Sequence, residues 1–451
     1  VADVEIAHFG RRPMKDVTLV WRIEGDPPPA QGSWDIVEVP IGKNISAGRL
    51  SVELSKLAAP VEYKLTVTVG PTSIFESTSL RVAPDPANVR GVTYFQNSWK
   101  FWVYPSTLPE QLPGSPKCPI TRGAEYLVTR SWDEAEKRLA DGGKVLFVPS
   151  PTDLDWTSPA LDTVPVFSNR LLRPAWSRML GLWIDLDPNK SKTNALGNFS
   201  TLEHFDWQWA QLMANVRGIN LDRLPSDLEP VVWAIDDWNR NYKLGLIFEC
   251  AVGEGRLLVS AFDVARPSVV NPVARQLRFS LLNYIASDCF QPRTAVNVEQ
   301  LRTLFFDTRI MKKLEAKAEM NGELASALID GDPSTFVLAG DQTAQLREPS
   351  EILITFPQPT AISGLVLMPR QNHREHEGDI REYAIRVSED GNEWRGLVHG
   401  ALVSTFAPQR IDFGRTTTIR YLKLVSLSGF GSDKATALAE VAVIYAGRPV
   451  K

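Results

Sequence analysis

In the stretches VTLVWRI and EYKLTVTVG apolar and polar residues alternate in short bursts. That pattern sends every second side chain to one face of a β-strand and leaves the other face to solvent. Such bursts recur from Val1 to about Pro86, SLRVAP among them, with Gly, Pro and Asp turns between. Short period-two strands at this spacing predict an antiparallel sandwich. The signal returns near Asp307 in EILITF, ISGLVLMP, EYAIRVS, IRYLKLVSL and AEVAVIYA, with Asp390-Gly391 as one turn. A second β-sandwich, of the jelly-roll kind, is expected there.

Between the two sandwiches the period changes. Ser131-Trp132-Asp133-Glu134 is a capping box that starts the helix WDEAEKRLADGG, whose glycines end it before the apolar strand KVLFVPS. Asn271-Pro272 caps and opens PVARQLRFSLLNYIAS, apolar at helical spacing. Helix-strand alternation predicts an α/β layer with buried parallel strands. The expected organisation is multidomain and β-rich: an immunoglobulin-like β-sandwich over 1–87, an α/β module with a parallel sheet over 88–290, a linker over 291–306 and a jelly roll over 307–451.

The 451 residues exceed what one core usually serves, in keeping with about three domains at roughly 150 residues each. Net charge is −4 with the cations scattered, so there is no electrostatic footprint for nucleic acid. No apolar run approaches the roughly 20 residues of a membrane span. The opening VADVEIAHFG shows no signal-peptide pattern and reads as the interior of a strand, so a piece of a larger protein is the expectation. Cys118, Cys250 and Cys289 are odd in number and lack CxxC spacing, which argues against a disulfide framework, a redox pair or a zinc knuckle. None sits on a nucleophile turn: Cys250 lies in LGLIFECAVGEGRLLVS, a hairpin turning at Gly253-Glu254-Gly255. No GxSxG elbow, Walker loop or HExxH occurs either.

Three clusters could carry chemistry. EHFDWQWAQLM gathers Glu203, His204 and Asp206. Read as a helix, it puts Phe205, Trp209, Leu212 and Met213 on one face, which is core packing; a hydrolytic site around the three polar residues is the competing reading. NHREHEGD sets His373 and His376 near Glu375, Glu377 and Asp379. Its glycine and flanking strands place it on a loop, either solvated or in contact with a ligand. SALIDGDPSTF crowds Asp330 and Asp332 about Gly331, with no EF-hand loop following. If the first and last strands of the sandwich lie side by side, Glu440 meets this turn. Asp330, Asp332, the Thr335 hydroxyl, Glu440 and carbonyls then offer the hard oxygen ligands calcium prefers. A solvated Asx-turn is the other reading.

ALIDGDPSTF, EILITFPQPTAISGLVLMPR, GDIREYAIRVSEDGNEW, TTTIRYLKLVSLSG and ALAEVAVI, in that order, resemble a discoidin or coagulation factor type C domain, close to the family 32 carbohydrate-binding modules. The resemblance covers about Asp307 to Gly447 and implies a jelly roll with structural calcium near the opening turn and the last strand. In a jelly roll, specificity comes from loops at one end. The loop Arg370 to Asp379 offers Asn372, His373, Arg374 and His376 to sugar hydroxyls. The loop Ser428 to Asp433 offers Phe430 to stack on a pyranose. The resemblance implies galactose-type sugars.

VEIAHFG, VTLVWRI and NSWKFWVYP, then GGKVLFVPS, MLGLWIDLDP, EHFDWQWAQLM and KLGLIFECAVGEGRLLVSAFD, are similar to the region after the catalytic barrel in family 2 glycoside hydrolases, the β-galactosidase-like enzymes of polysaccharide-degrading bacteria. This implies catalytic glutamates on a barrel, in the same or another chain, and a periplasmic or extracellular location. The expected role is non-catalytic: scaffold and carbohydrate binding stabilised by calcium. The competing readings are a hydrolase with its site in the α/β module and an architectural oligomerisation tail.

Overall fold

The computed structural model describes residues 1–25, 27–75, 94–109, 112–114, 118–121, 123, 125–161, 181–236, 241–305, 309–340, 349–373, 375–431 and 435–445. The chain divides into two compact units, Val1–Gln111 with Leu196–Thr201, and Leu112–Ala195 with Leu202–Lys451.

The first unit holds β1 (Ala2–Ala7), β2 (Met14–Ile23), β3 (Gln31–Val39), β4 (Asn44–Leu50), β5 (Val61–Pro71) and β6 (Phe95–Val103). They form an antiparallel pair β1-β4 and a four-stranded sheet β3-β2-β5-β6. Val17, Leu19 and Trp21 on β2 and Val67 and Val69 on β5 alternate into one core with Ala47 and Leu50, as the period-two pattern requires. SLRVAP lies outside the described residues. β6 carries NSWKFWV and pairs with β5 from Val103 back to Phe95. That strand therefore belongs to the sandwich, although the composition change at 87/88 assigns it to the next module.

In the second unit, residues 112–305 carry β7 (Tyr126–Thr129), α1 (Trp132–Ala140), β8 (Lys144–Phe147), β9 (Gly181–Ile184), α2 (Trp207–Ala210), β10 (Ile219–Asn220), β11 (Val232–Ile235), β12 (Lys243–Val252), β13 (Gly255–Ser260), α3 (Pro272–Ala286) and α4 (Val298–Arg302). The sheet order is β7-β8-β13-β12-β11-β9, with β10 on β12. Among the described strands of this sheet, parallel pairing joins β7 to β8 and β8 to β13. The remaining pairs are antiparallel, because β12 and β13 form the hairpin read at Gly253 and β11 and β9 follow its direction. Asn271 caps α3 through Val273 and Ala274 amides. Ser131 caps α1, but the Glu134 carboxylate accepts from the Thr129 hydroxyl rather than returning to the cap amide.

Two expectations are corrected here. The expected linker over 291–306 is not free in its described part, 291–305: Asn297 and Gln300 close a full capping box on α4, Leu301 is buried, Ala251 N donates to Thr294 O and Val296 N donates to Ala251 O. Cys118 and Cys289 form a disulfide, leaving Cys250 as the buried free thiol. Spacing missed it because the partners lie 171 residues apart, a neighbourhood only the fold creates.

The jelly roll follows α5 (Ile310–Lys313), with β14 (Lys317–Met320), β15 (Glu323–Leu324), β16 (Val337–Ala339), β17 (Ser350–Met368), β18 (Ile380–Ser388), β19 (Arg395–Ala401), β20 (Gln409–Gly429), β21 (Thr436–Leu438) and β22 (Glu440–Tyr445). β17 and β20 pair along most of their length, with a register shift between Thr355 and Thr360. Pro357 and Pro359 fall in that shift, where they have no amide to give to the ladder. The first half of β17 takes β14 and the second half takes β22. The first and last strands thus meet the same strand end to end rather than each other.

Candidate functional site

The Asp330 turn and Glu440 do come together. Asp330 Oδ1 accepts from the Asp332 amide at 2.7 Å and Oδ2 from the Thr335 hydroxyl at 2.9 Å; that hydroxyl also lies 2.9 Å from the Asp332 carbonyl. Glu440 opens β22, 1% exposed, and its Oε1 is buried with no hydrogen-bond partner. Burial, and then the facing Asp330 carboxylate, push Glu440 up to about 10. Two carboxylates turned towards each other in a dry site repel unless a proton or a cation lies between them. Among the described residues no group of three or more His, Cys, Asp or Glu side chains gathers to hold a metal. The donor set here is instead two carboxylates, a hydroxyl and backbone oxygens, which suits a hard cation.

The two expected sugar loops also meet. Gly378 N donates to Phe430 O, and Phe430 N to Asp379 O, each at 2.9 Å. Gly431 sits over Glu377 in a left-handed conformation (φ 68°) where a side chain would be strained. Asn372, His373 and Phe430 are half-buried at this end of the sandwich. His373 lies 3.7 Å from a Glu377 oxygen, and Glu377 O accepts from Arg370 at 2.7 Å. Arg374 lies outside the described residues. His376 is placed differently from expectation. It is buried, Nδ1 is 2.9 Å from Asp379 Oδ2, and its ring packs on Phe406 at 4.3 Å. His376 therefore braces the loop rather than reaching a ligand. Sequence reasoning missed Arg370 and Phe406 as supports, because neither shares a local pattern with the residues it holds.

In the α/β module, EHFDWQW is an edge cap rather than a long helix. Ile184 N donates to Glu203 O, and His204 bridges Trp183 on β9. Asp206 then caps the short α2 through the Gln208 and Trp209 amides, and Trp209 is fully buried. Glu203 and His204 stay exposed, and Asp206 is spent on the cap. On the other side of the sheet, Tyr284 donates to buried Glu249 at 2.6 Å, beside a cavity of about 280 Å³ lined by Lys190, Lys192, Glu229 and Arg293.

Residues 313–441 match the F5/8 type C domain family. Residues 1–105 and 127–306 match two domains of unknown function, DUF8488 and DUF8487. A sialidase of Micromonospora viridifaciens is 36% identical over 121 residues, which are 26% of this chain and 18% of that protein's length. The CpGH89CBM32-5 module of Clostridium perfringens, solved with GalNAc-β-1,3-galactose, is 25% identical with a TM-score of 0.27, covering 30% of this chain and 98% of the module. The C-terminal domain of a Bacteroides fragilis chitobiase is 28% identical with a TM-score of 0.24, covering 28% of this chain and 82% of that one. The C-terminal domain of this chain is thus of the F5/8 type C kind. No helix among the described residues is long and apolar enough to cross a membrane.

Proposed function

We propose that this chain is a non-catalytic, glycan-holding part of a polysaccharide-degrading glycoside hydrolase, of the family 2 kind that its first two modules resemble. The observation that carries it is the joining of loops 370–379 and 428–431 at one end of an F5/8 type C domain, with His373 and Phe430 part-exposed there. Polar donors beside an aromatic ring suit a pyranose, which has hydroxyls at its rim and an apolar C–H face. The shared segment with a sialidase supports a glycosidase setting. The catalytic barrel, in this or another chain, is the partner, and the sugar is galactoside-type. The Cys118–Cys289 disulfide supports a periplasmic or extracellular location, where such bonds persist.

Calcium is the proposed structural ion, held by Asp330, Asp332, Thr335, Glu440 and backbone oxygens. Glu440 Oε1, buried without a partner, fits this role. The ion would supply a positive charge that lets both facing carboxylates ionise.

The test is titration of the full chain with methyl β-galactoside and lactose by calorimetry or NMR. His373→Ala and Phe430→Ala should each weaken binding about tenfold, the loss of one good contact. Unchanged affinity in both variants overturns this placement of the site.

A further inference from the structure

The β9 edge of the α/β sheet presents a face that the reading above leaves unused. Leu182, Ile184, Val232 and Ala234 bury one side of β9 and β11, while Trp183, Trp233 and Ile235 point the other way. Trp183 lies directly opposite Trp233 on β11 and directly opposite His204 on its outer side. Directly opposed residues share a face, so His204, Trp183 and Trp233 form one row across three segments. The tryptophan rings are 5.6 Å apart and tilted by 37°. Trp233 is fixed in turn by its Nε1–H to Pro230 O at 3.0 Å, and the Lys243 ammonium stands 5.6 Å over its ring. Trp183 therefore leans on a rigid backing and is still 49% exposed.

We infer that this row is a second saccharide-binding site: a pyranose stacks its C–H face on Trp183 while the His204 imidazole bonds the adjacent hydroxyls. A strand-borne aromatic held by its neighbours loses little freedom on binding, so even shallow stacking yields net affinity. A protein partner fits less well, because a stable contact needs roughly 800 Å² from each side. Among the described residues this face offers one aromatic pair and Ile235, with His204 and Lys243 beside them. The site rests on the reading of the chain as glycan-holding but lies in a different module from the jelly-roll loops.

The experiment is native affinity electrophoresis of the full chain through gels containing pectic galactan, xyloglucan or galactomannan. At least one polysaccharide should retard the chain, and Trp183→Ala and His204→Ala should each weaken that retardation about tenfold while Trp183→Phe retains most of it. Comparison with His373→Ala/Phe430→Ala separates the two sites. Retardation lost only in the jelly-roll variant overturns this inference and leaves the proposed function standing. Loss only in the Trp183 and His204 variants upholds this site and the glycan-holding reading, and overturns the placement of the first site on the jelly-roll loops. Retardation by none of the polysaccharides, or loss in neither set, overturns this site. So does a Trp183→Ala chain that changes from dimer to monomer with retardation intact, since the occupant is then a second copy.

Discussion

Glu440 and Glu249 are both buried carboxylates with raised pKa values, and they differ in what surrounds them. Glu440 faces Asp330, so a divalent cation binding only the folded chain should stabilise it by the logarithm of its saturation, about 2.7 kcal/mol at a hundredfold excess over the dissociation constant. Melts with calcium and with chelator should show that gain in the native chain and not in Glu440→Ala; an equal gain in both would remove Glu440 from the site. Glu249 accepts from the Tyr284 hydroxyl, and burial carries it from 4.5 to about 7. The folded chain thus keeps a proton that the unfolded chain releases. The stability this contributes is full below 4.5 and is lost as pH rises to about 7, roughly 3 kcal/mol in all. Glu249→Gln keeps an acceptor for Tyr284, so it should flatten urea-melt stability across that window and gain about 2–3 kcal/mol at pH 8. A slope equal to that of the native chain would mean that Glu249 ionises freely. The Asp-Gly-Asp turn was readable from sequence because the carboxylates crowd locally. The role of His376 was not, since its partner Phe406 comes from a distant loop.

At the scale of elements, caps and alternation were legible and edges were not. Asn271 and Pro272 predict the start of α3, because the cap is a contact between near neighbours. EHFDWQWAQLM has helical spacing yet yields a four-residue helix. Its first residues are drawn into pairing with the open edge of β9, a tertiary demand that outweighs local periodicity. The disulfide is of the same non-local kind: Cys118 reaches Cys289 just past α3 and clamps the entry of the module to the end of that helix. Closing so long a loop restricts the unfolded chain, so Cys289→Ser should cost about 2–4 kcal/mol. A chemical melt of the variant against the native chain, both without reductant, measures it. Equal midpoints would show that the clamp is redundant with packing.

Across the second unit, the α/β module and the jelly roll share a core. Trp156, on an irregular stretch of the α/β module, is 2% exposed and packs in the jelly-roll cluster with Ile310 and Met311. Around it Asp155 N donates to Leu304 O at 2.8 Å and Arg309 pairs with Asp153 at 3.1 Å. Buried Arg217, anchored to Ser158 O at 2.6 Å, feels the charges of Asp332 and Glu440 across the junction. No composition change marks this joint, since TDLDWTSP reads as a surface loop until the other module covers it. If the core is shared, the two modules unfold as one, and calcium bound at Glu440 should raise the midpoint of the entire second unit in calorimetry. Trp156→Ala removes a large buried ring at a cost of about 3–5 kcal/mol and should split that transition, leaving only the jelly-roll part sensitive to calcium. A native chain whose α/β transition already ignores calcium would show that Trp156 joins the modules without coupling their stability.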